Sequence, residues 1–253
     1  MTAPFDGRAA LVTGAGRGIG RAVTLQLAEG GARVALLARS IDQLEETATT
    51  LRTEGGVALV LPADLADHDA VAEAAETAAK ELGPVGILVN NAAVVQPAGP
   101  TVSTLPVGWS SAFAVNVEAP IRLTLALLSG MLEQGWGRIV NVSSGIVDHP
   151  GAMVGLNAYA STKAALEAHT VNLAAEVTGS GVTVNIFRPG AVDTAMQGWF
   201  RAQPPAEIGV ALHQHFQASY EQGALITPEH SARSLLTRLG GEATGQIWNA
   251  TDA

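Results

Sequence analysis

Arg8-Ala-Ala-Leu-Val-Thr13 runs straight into Gly14-Ala-Gly-Arg-Gly-Ile-Gly20, and from there into a segment of helical periodicity, Ile19–Glu29. A short apolar run that ends in a glycine turn opening a helix is a strand–loop–helix unit. Glycine is needed where the chain turns sharply and where backbone must approach a pyrophosphate with no Cβ in between. The helix N-terminus offers free N–H groups and a partial positive charge to such an anion. The spacing is Thr13-Gly14-x-x-x-Gly18-x-Gly20 with Gly16 inside it, and Ile19 stands where the commoner dinucleotide turn carries its third glycine. Gly14, Gly16, Arg17, Gly18, Ile19 and Gly20 are thus the expected phosphate cradle.

Outward from this unit the pattern repeats. Arg33–Ala38, Val57–Leu61, Gly86–Asn90, Arg138–Val142 and Val182–Phe187 read as further buried strands. They alternate with helical stretches at Ile41–Glu54, Asp67–Leu82, Trp109–Gln134 and Ala158–Val177, and Gly30-Gly31, Gly55-Gly56 and Gly83-Pro84 punctuate the helix ends. Nearly continuous apolar strands in this alternation predict an α/β fold: a Rossmann-like, doubly wound parallel sheet of about seven strands with helices on both faces. Pro189–Thr227 breaks the rhythm with three prolines and little strand signal, before a last helix at Pro228–Leu239 and a strand at Gln246–Asn249. It reads as a long irregular insertion, a substrate-binding lid at about 194–226. No linker, repeat or low-complexity tract intervenes, so residues 1–253 are expected to form a single domain.

Composition narrows the class. With 47% hydrophobic residues and only 15% charged, the chain is not disordered. Zero cysteines exclude disulfides, thiolate catalysis and Cys-ligated metals, and fit a cytoplasmic location. The first residues carry no basic flank or apolar core of a signal peptide, and no apolar stretch approaches 18 residues, so no membrane partner is expected. Acidic residues outnumber basic ones 23 to 14, for a net charge of −9, which disfavours nucleic acid as a partner. His213 and His215, at i and i+2, point to different faces of a helix and lack a third ligand, so no metal site is expected.

An acid about 20 residues beyond the glycine turn would accept from a ribose 2′-OH and select NAD, whereas an arginine there suits a 2′-phosphate. The second strand ends Leu36-Leu37-Ala38-Arg39-Ser40, with no acid before Asp42. Arg39, with Arg17 in reach, therefore predicts NADP(H), NAD(H) being the alternative. Asp64, in Ala63-Asp64-Leu65 after the third strand, would sit at the sheet edge and could hold adenine, with Leu65 beside it; an ordinary turn Asp is the rival reading.

The chain has only two Tyr, Tyr159 and Tyr220, and two Lys, Lys80 and Lys163. One of each falls in Tyr159-Ala-Ser-Thr-Lys163 on a helical stretch, where i and i+4 share a face. A free tyrosine is a poor acid–base group at neutral pH, and an ammonium within several Å moves its pKa toward working range.

Together Thr13–Gly20, Asn90-Asn91-Ala92-Ala93, Asn116, Ser143-Ser144, Tyr159-x-x-x-Lys163 and Arg188-Pro189-Gly190 resemble the short-chain dehydrogenase/reductase family over essentially the whole chain. The resemblance implies an NADP(H)-dependent oxidoreductase acting on a carbonyl or secondary alcohol. It implies Tyr159 as the proton donor or acceptor, Lys163 as the group that lowers its pKa and binds the nicotinamide ribose, and Ser144 as the holder of the substrate oxygen. Asn116 would fix a helix break and a water linking Lys163 to solvent. Asn90, Asn91, Ala92 and Ala93 would line the cofactor after the fourth strand, and Pro189, Gly190, Val192 and Thr194 would cradle the nicotinamide carboxamide. A homotetramer, or a dimer, would pair the Trp109–Gln134 and Ala158–Val177 helices.

Three departures stand out. Ser144 lies fifteen residues before Tyr159, about two more than is usual in the family, leaving Ser143 as a minor alternative. Asn-Asn-Ala-Ala replaces Asn-Asn-Ala-Gly, and the C-terminus lacks the frequent Asp-Gly-Gly. Substrate contacts are expected from Ser144, Ile146, Met153, Tyr159 and Trp199, an apolar lining that suggests a small, apolar substrate. A 3-oxoacyl-carrier-protein reductase is the enzymatic rival, although Ser129, Glu133, Gln134 and Glu176 offer no basic patch to an acidic carrier. A catalytically silent cofactor-binding regulator is the reading from another class.

Overall fold

In the computed structural model, which describes residues 3–252, strands and helices alternate from the glycine turn onward. β1 (Ala9–Thr13), α1 (Gly18–Glu29), β2 (Arg33–Ala38), α2 (Ile41–Thr53), β3 (Ala58–Pro62), α3 (His68–Leu82) and β4 (Val85–Asn90) form the first half. α4 (Pro106–Phe113), a π-helical turn (Ala114–Glu118), α5 (Ala119–Glu133), β5 (Gly137–Val142), α6 (Asn157–Glu176) and β6 (Val182–Arg188) follow. The chain ends with α7 (Ala195–Ala202), α8 (Pro205–Ile208), α9 (Val210–Glu221), α10 (Pro228–Leu239) and β7 (Ile247–Asn249).

All seven strands pair in parallel in the order β3-β2-β1-β4-β5-β6-β7. The order reverses between β1 and β4, and in such sheets the crevice outside the strand carboxyl ends at that point is where ligands bind. The period of two assigns the faces. Ala9 and Leu11 of β1 with Ala35 and Leu37 of β2 meet α3, α5 and α6 on one side. Ala10, Val12, Val34 and Leu36 meet α1, α2 and α10 on the other. Caps set two of these helices: Asp67 accepts from the N–H groups of Asp69 and Ala70 at the head of α3, and Thr227 accepts from His230 N–H at the head of α10.

Pro189–Thr227, expected to be irregular, instead folds largely as α7, α8 and α9. Proline at the first turn of α8 and Gly209, with φ of 97°, divide the segment into helices too short to show clear periodicity. Phe200 of α7 and Phe216 of α9 stack at 4.0 Å between ring centroids. They anchor a third apolar cluster with Val95, Ile146, Leu156, Ile208 and Leu212, outside the sheet layers.

The expected helix at Trp109–Gln134 is part of a continuous one, Pro106–Glu133, with the π turn inside it. Its mean hydropathy of 1.3 and its 28 residues would suffice for a membrane span by length and composition. In this fold α5 packs on α3, β4 and β5, so the apolar face serves the core.

Candidate active site

Thr13 ends β1 and ties it to β4. Its Oγ1 accepts from the N–H groups of Asn91 (2.9 Å) and Ala92 (3.0 Å), while Asn91 Nδ2 returns a bond to Thr13 O at 2.9 Å. The glycine turn is closed down on this joint. A Cβ on Gly14 would stand 2.8 Å from Asn91 Nδ2, and one on Gly20 only 2.2 Å from Gly14 O. Gly20 therefore packs the turn and does not face the cleft, whereas Gly14, Gly16, Arg17, Gly18 and Ile19 line it. Among the described residues, α1 has no side-chain cap and no acid in its first turn, which leaves its terminal N–H groups for a ligand.

The cleft has a volume of about 780 Å³ and runs over the switch between β1 and β4. Of the residues singled out from the sequence, Arg39, Asp64, Leu65, Asn91, Ala92, Ala93, Pro189 and Thr194 line it. Arg17 and Arg39 are exposed at one end. Asp64 Oδ1 accepts from Ala66 N–H at 3.0 Å, so it makes a turn bond as well as facing the cleft. Ala38, Ser40, Gln43, Val94, Val115, Val142, Asp193, Ala195 and Pro228 also line it without having been singled out from sequence. Gly16 explains one of these: its missing side chain leaves room for Gln43, whose Cβ would otherwise be 2.8 Å away.

Besides Gly20, three expected cofactor contacts fall elsewhere. Asn90 is buried and donates to Asn141 Oδ1 at 2.8 Å, and Asn141 in turn donates to Thr170, so this asparagine braces β4, β5 and α6. Val192 is buried and bridges to Ile226, and Gly190 serves through its positive φ of 78°. Past the end of β6, Val192 is held in the buried layer by its bridge to Ile226, while Asp193 and Thr194 face the cleft.

At the other end of the cleft stand Tyr159 and Lys163, one turn apart on α6. Lys163 is 1% exposed, donates from Nζ to Val142 O at 2.7 Å, and lies 5.7 Å from the Tyr159 ring centroid. Burial pushes its ammonium down from 10.5 to about 8, with Glu167 pulling the other way. Tyr159 departs from the sequence expectation. Burial drives its hydroxyl up to about 12, and hydrogen bonding with Ser144 is the interaction that lowers it. Desolvation outweighs the Ser144 hydrogen bond, so Tyr159 holds its proton at neutral pH.

Ser144 caps the following turn, its Oγ accepting from Ile146 N–H at 3.3 Å. Ser143, and not Ser144, is the serine that lines the cleft, and its buried Oγ has no partner among the described residues. Asn116 sits fully buried on the π turn; Oδ1 accepts from Val94 N–H, and Nδ2 donates to Val94 O (both 2.8 Å) and to Thr162 Oγ1 at 3.0 Å. The helix irregularity thus turns Asn116 toward the loop after β4 and toward α6, between Tyr159 and Lys163 in sequence. Ile146, Met153 and Trp199 lie in the third apolar cluster, which reaches the cleft through Tyr159 and Met196. His213 Nε2 lies 3.2 Å from Arg201 O, and among the described residues no three His, Cys, Asp or Glu gather as a metal site.

A family model described as short chain dehydrogenase matches residues 8–205. The chain is 39% identical over 195 residues to a short chain dehydrogenase of Pseudocercospora fijiensis, covering 76% of this chain and 62% of that one. It is 40% identical over 214 residues to the 3-oxoacyl-[acyl-carrier-protein] reductase of Pseudomonas aeruginosa, covering 83% of each. Among solved structures it resembles L-sorbose reductase from Gluconobacter frateurii complexed with NADPH and L-sorbose, with a TM-score of 0.87, 26% identity, and 98% and 97% of the two chains covered. Strands β1 to β6, the glycine turn and the Tyr159–Lys163 turn of α6 all lie inside residues 8–205, and the chain belongs to the short-chain dehydrogenase/reductase family.

Proposed function

We propose that this chain is an NADP(H)-dependent oxidoreductase that moves a hydride between nicotinamide and the carbonyl or secondary alcohol of a small, apolar substrate. The observation that carries it is the placing of Tyr159 and the buried Lys163 in the same cleft as an uncapped helix N-terminus and its glycine turn. The cleft fits the cofactor on its own chemistry: Gly14, Gly16 and Gly18 leave backbone bare, α1 offers N–H groups to a pyrophosphate, and Arg17 and Arg39 supply cations for a 2′-phosphate. When bound, NADP(H) supplies or takes up the hydride.

The remaining chemistry belongs to side chains. In reduction Tyr159, protonated at neutral pH, gives its proton to the carbonyl oxygen as negative charge develops there. Ser144 holds the same oxygen, and Lys163 keeps a cation beneath the developing charge. Asn116 keeps the α6 turn and the loop after β4 in one register. Ile146, Met153, Met196 and Trp199 form the apolar side of the substrate space, and α7 to α9 serve as its lid. The exposure of Leu125 and Leu132 on α5 and Val171 on α6 supports a homo-oligomer paired through those helices. The similarity to an acyl-carrier-protein reductase makes β-oxoacyl thioesters the second substrate class.

The test is NADPH consumption against a panel of ketones, aldehydes and β-oxoacyl thioesters, with Tyr159→Phe alongside. Turnover of apolar ketones, lost in Tyr159→Phe, is expected; NADPH binding with no turnover of any member would overturn the reading. Preference for the thioesters would select the second class.

A further inference from the structure

Arg188 ends β6 with its side chain buried, a position where an unpaired guanidinium is strongly disfavoured. Two carboxylates from two other segments satisfy it. Glu167, one turn beyond Lys163 on α6 and itself buried, accepts from Nε and Nη2 at 2.9 Å each, a bidentate pair. Asp148, on the loop between Ser144 and Tyr159, accepts from Nη1. One side chain therefore ties the end of β6, the helix that carries Tyr159 and Lys163, and the loop that carries Ser144.

The backbone adds a second tie at the start of that loop. Ser143 N–H donates to Phe187 O at 2.7 Å, one residue before Arg188. Ser144 is thus held between two attachments to β6, the backbone bond before it and Asp148 after the Gly145–Val147 turn that Ser144 itself caps. The loop is about two residues longer than the family spacing, which raises its conformational freedom and the value of an anchor. Neither Arg188 nor Asp148 lines the cofactor cleft, so the reaction proposed above makes no direct use of them.

We infer that Arg188 and Asp148 are positioning residues, a clamp that holds the Ser144 loop in register with Tyr159. The inference rests on the hydride-transfer reading of the cleft. Its two ends differ: Glu167 and Arg188 are both buried, whereas the Asp148 side chain is 57% exposed. Removing Asp148 leaves Arg188 bidentate on Glu167, so the fold persists and only the loop tie is lost.

The experiment compares full-length wild type, Asp148→Asn and Asp148→Glu by amide hydrogen exchange, thermal unfolding, NADPH titration and steady-state kinetics. Asp148→Asn should speed exchange of the amides in 145–156 about tenfold and lower kcat about tenfold, a part of the hundredfold that an ångström of misplacement costs. NADPH affinity should stay within about twofold, because the cradle is untouched, and Asp148→Glu should recover part of kcat. Unchanged loop exchange, or a wild-type kcat in Asp148→Asn, overturns the clamp. So does a fall in Tm and NADPH affinity in step with kcat, which marks a merely structural bond. A wild type that turns over no carbonyl overturns the hydride-transfer reading instead, and the exchange data still decide the clamp.

Discussion

Lys163→Met is expected to stabilise the protein while abolishing turnover. The ammonium is 1% exposed, and burial lowers it from 10.5 to about 8. The difference, 10.5 − 8, at about 1.4 kcal/mol per pH unit, is a folding cost of about 3 kcal/mol. The sign follows from proton binding. Below pH 8 the lysine is charged in both states and the full cost is present. Between 8 and 10.5 the folded protein releases the proton while the unfolded chain keeps it, so stability rises with pH. Methionine fills a similar volume without charge, but it leaves Val142 O without its 2.7 Å partner, at about 1–2 kcal/mol. The net gain at pH 7 is about 1–2 kcal/mol, or about 2–8 °C in Tm for a chain of this size. Urea unfolding of both proteins from pH 7 to 10 measures it. The window stops at 10 because Tyr159, raised to about 12, removes stability from both proteins between 10 and 12. The variant should be more stable at pH 7 and the difference should vanish or reverse by pH 10. A variant less stable at pH 7, or a difference independent of pH, would refute the reasoning.

Gly20→Ala puts a Cβ 2.2 Å from Gly14 O, so at least a tenfold loss of NADPH affinity and a lower Tm are expected in titration and thermal unfolding; Gly130→Ala, with open space around it on α5, should instead gain up to about 1 kcal/mol. Arg39→Ala should weaken NADPH by about 10–100-fold in calorimetric titration, as loss of a charge-assisted bond worth about 1.5–3 kcal/mol implies, and leave NADH affinity unchanged. Ser144→Ala removes the interaction that lowers Tyr159, so the rising limb of the alcohol-oxidation pH profile should move to higher pH; an unmoved limb would assign the serine no part in the tyrosine's ionisation.

The strands and the glycine turn were legible because apolar period and glycine placement are local: the seven expected strands agree with the observed ones to within a residue at each end. The cleft was legible where a motif names the residue, as at Arg39, Asn91 or Tyr159. It was not legible where a neighbour is set by packing. Gln43 reaches the cleft because Gly16 has no side chain, and Val192 leaves it because its bridge to Ile226 holds it in the buried layer. The Tyr159–Lys163 spacing told which groups share a helix face and not how dry that face is. Burial, a property of the whole fold, is what pushes Tyr159 up and Lys163 down. The α7–α9 segment escaped because its short helices, parted by Pro204-Pro205 and Gly209, draw their order from Phe200 stacking on Phe216.

The most direct test of the central claim is the fate of deuterium from NADPH labelled at the transferable nicotinamide C4 position. With a ketone that the wild type consumes, the account expects one deuterium per product molecule on the carbinol carbon, and no detectable transfer by Tyr159→Phe at equal cofactor occupancy. Consumption of NADPH with no deuterium in the alcohol, or transfer that persists undiminished in Tyr159→Phe, would contradict it.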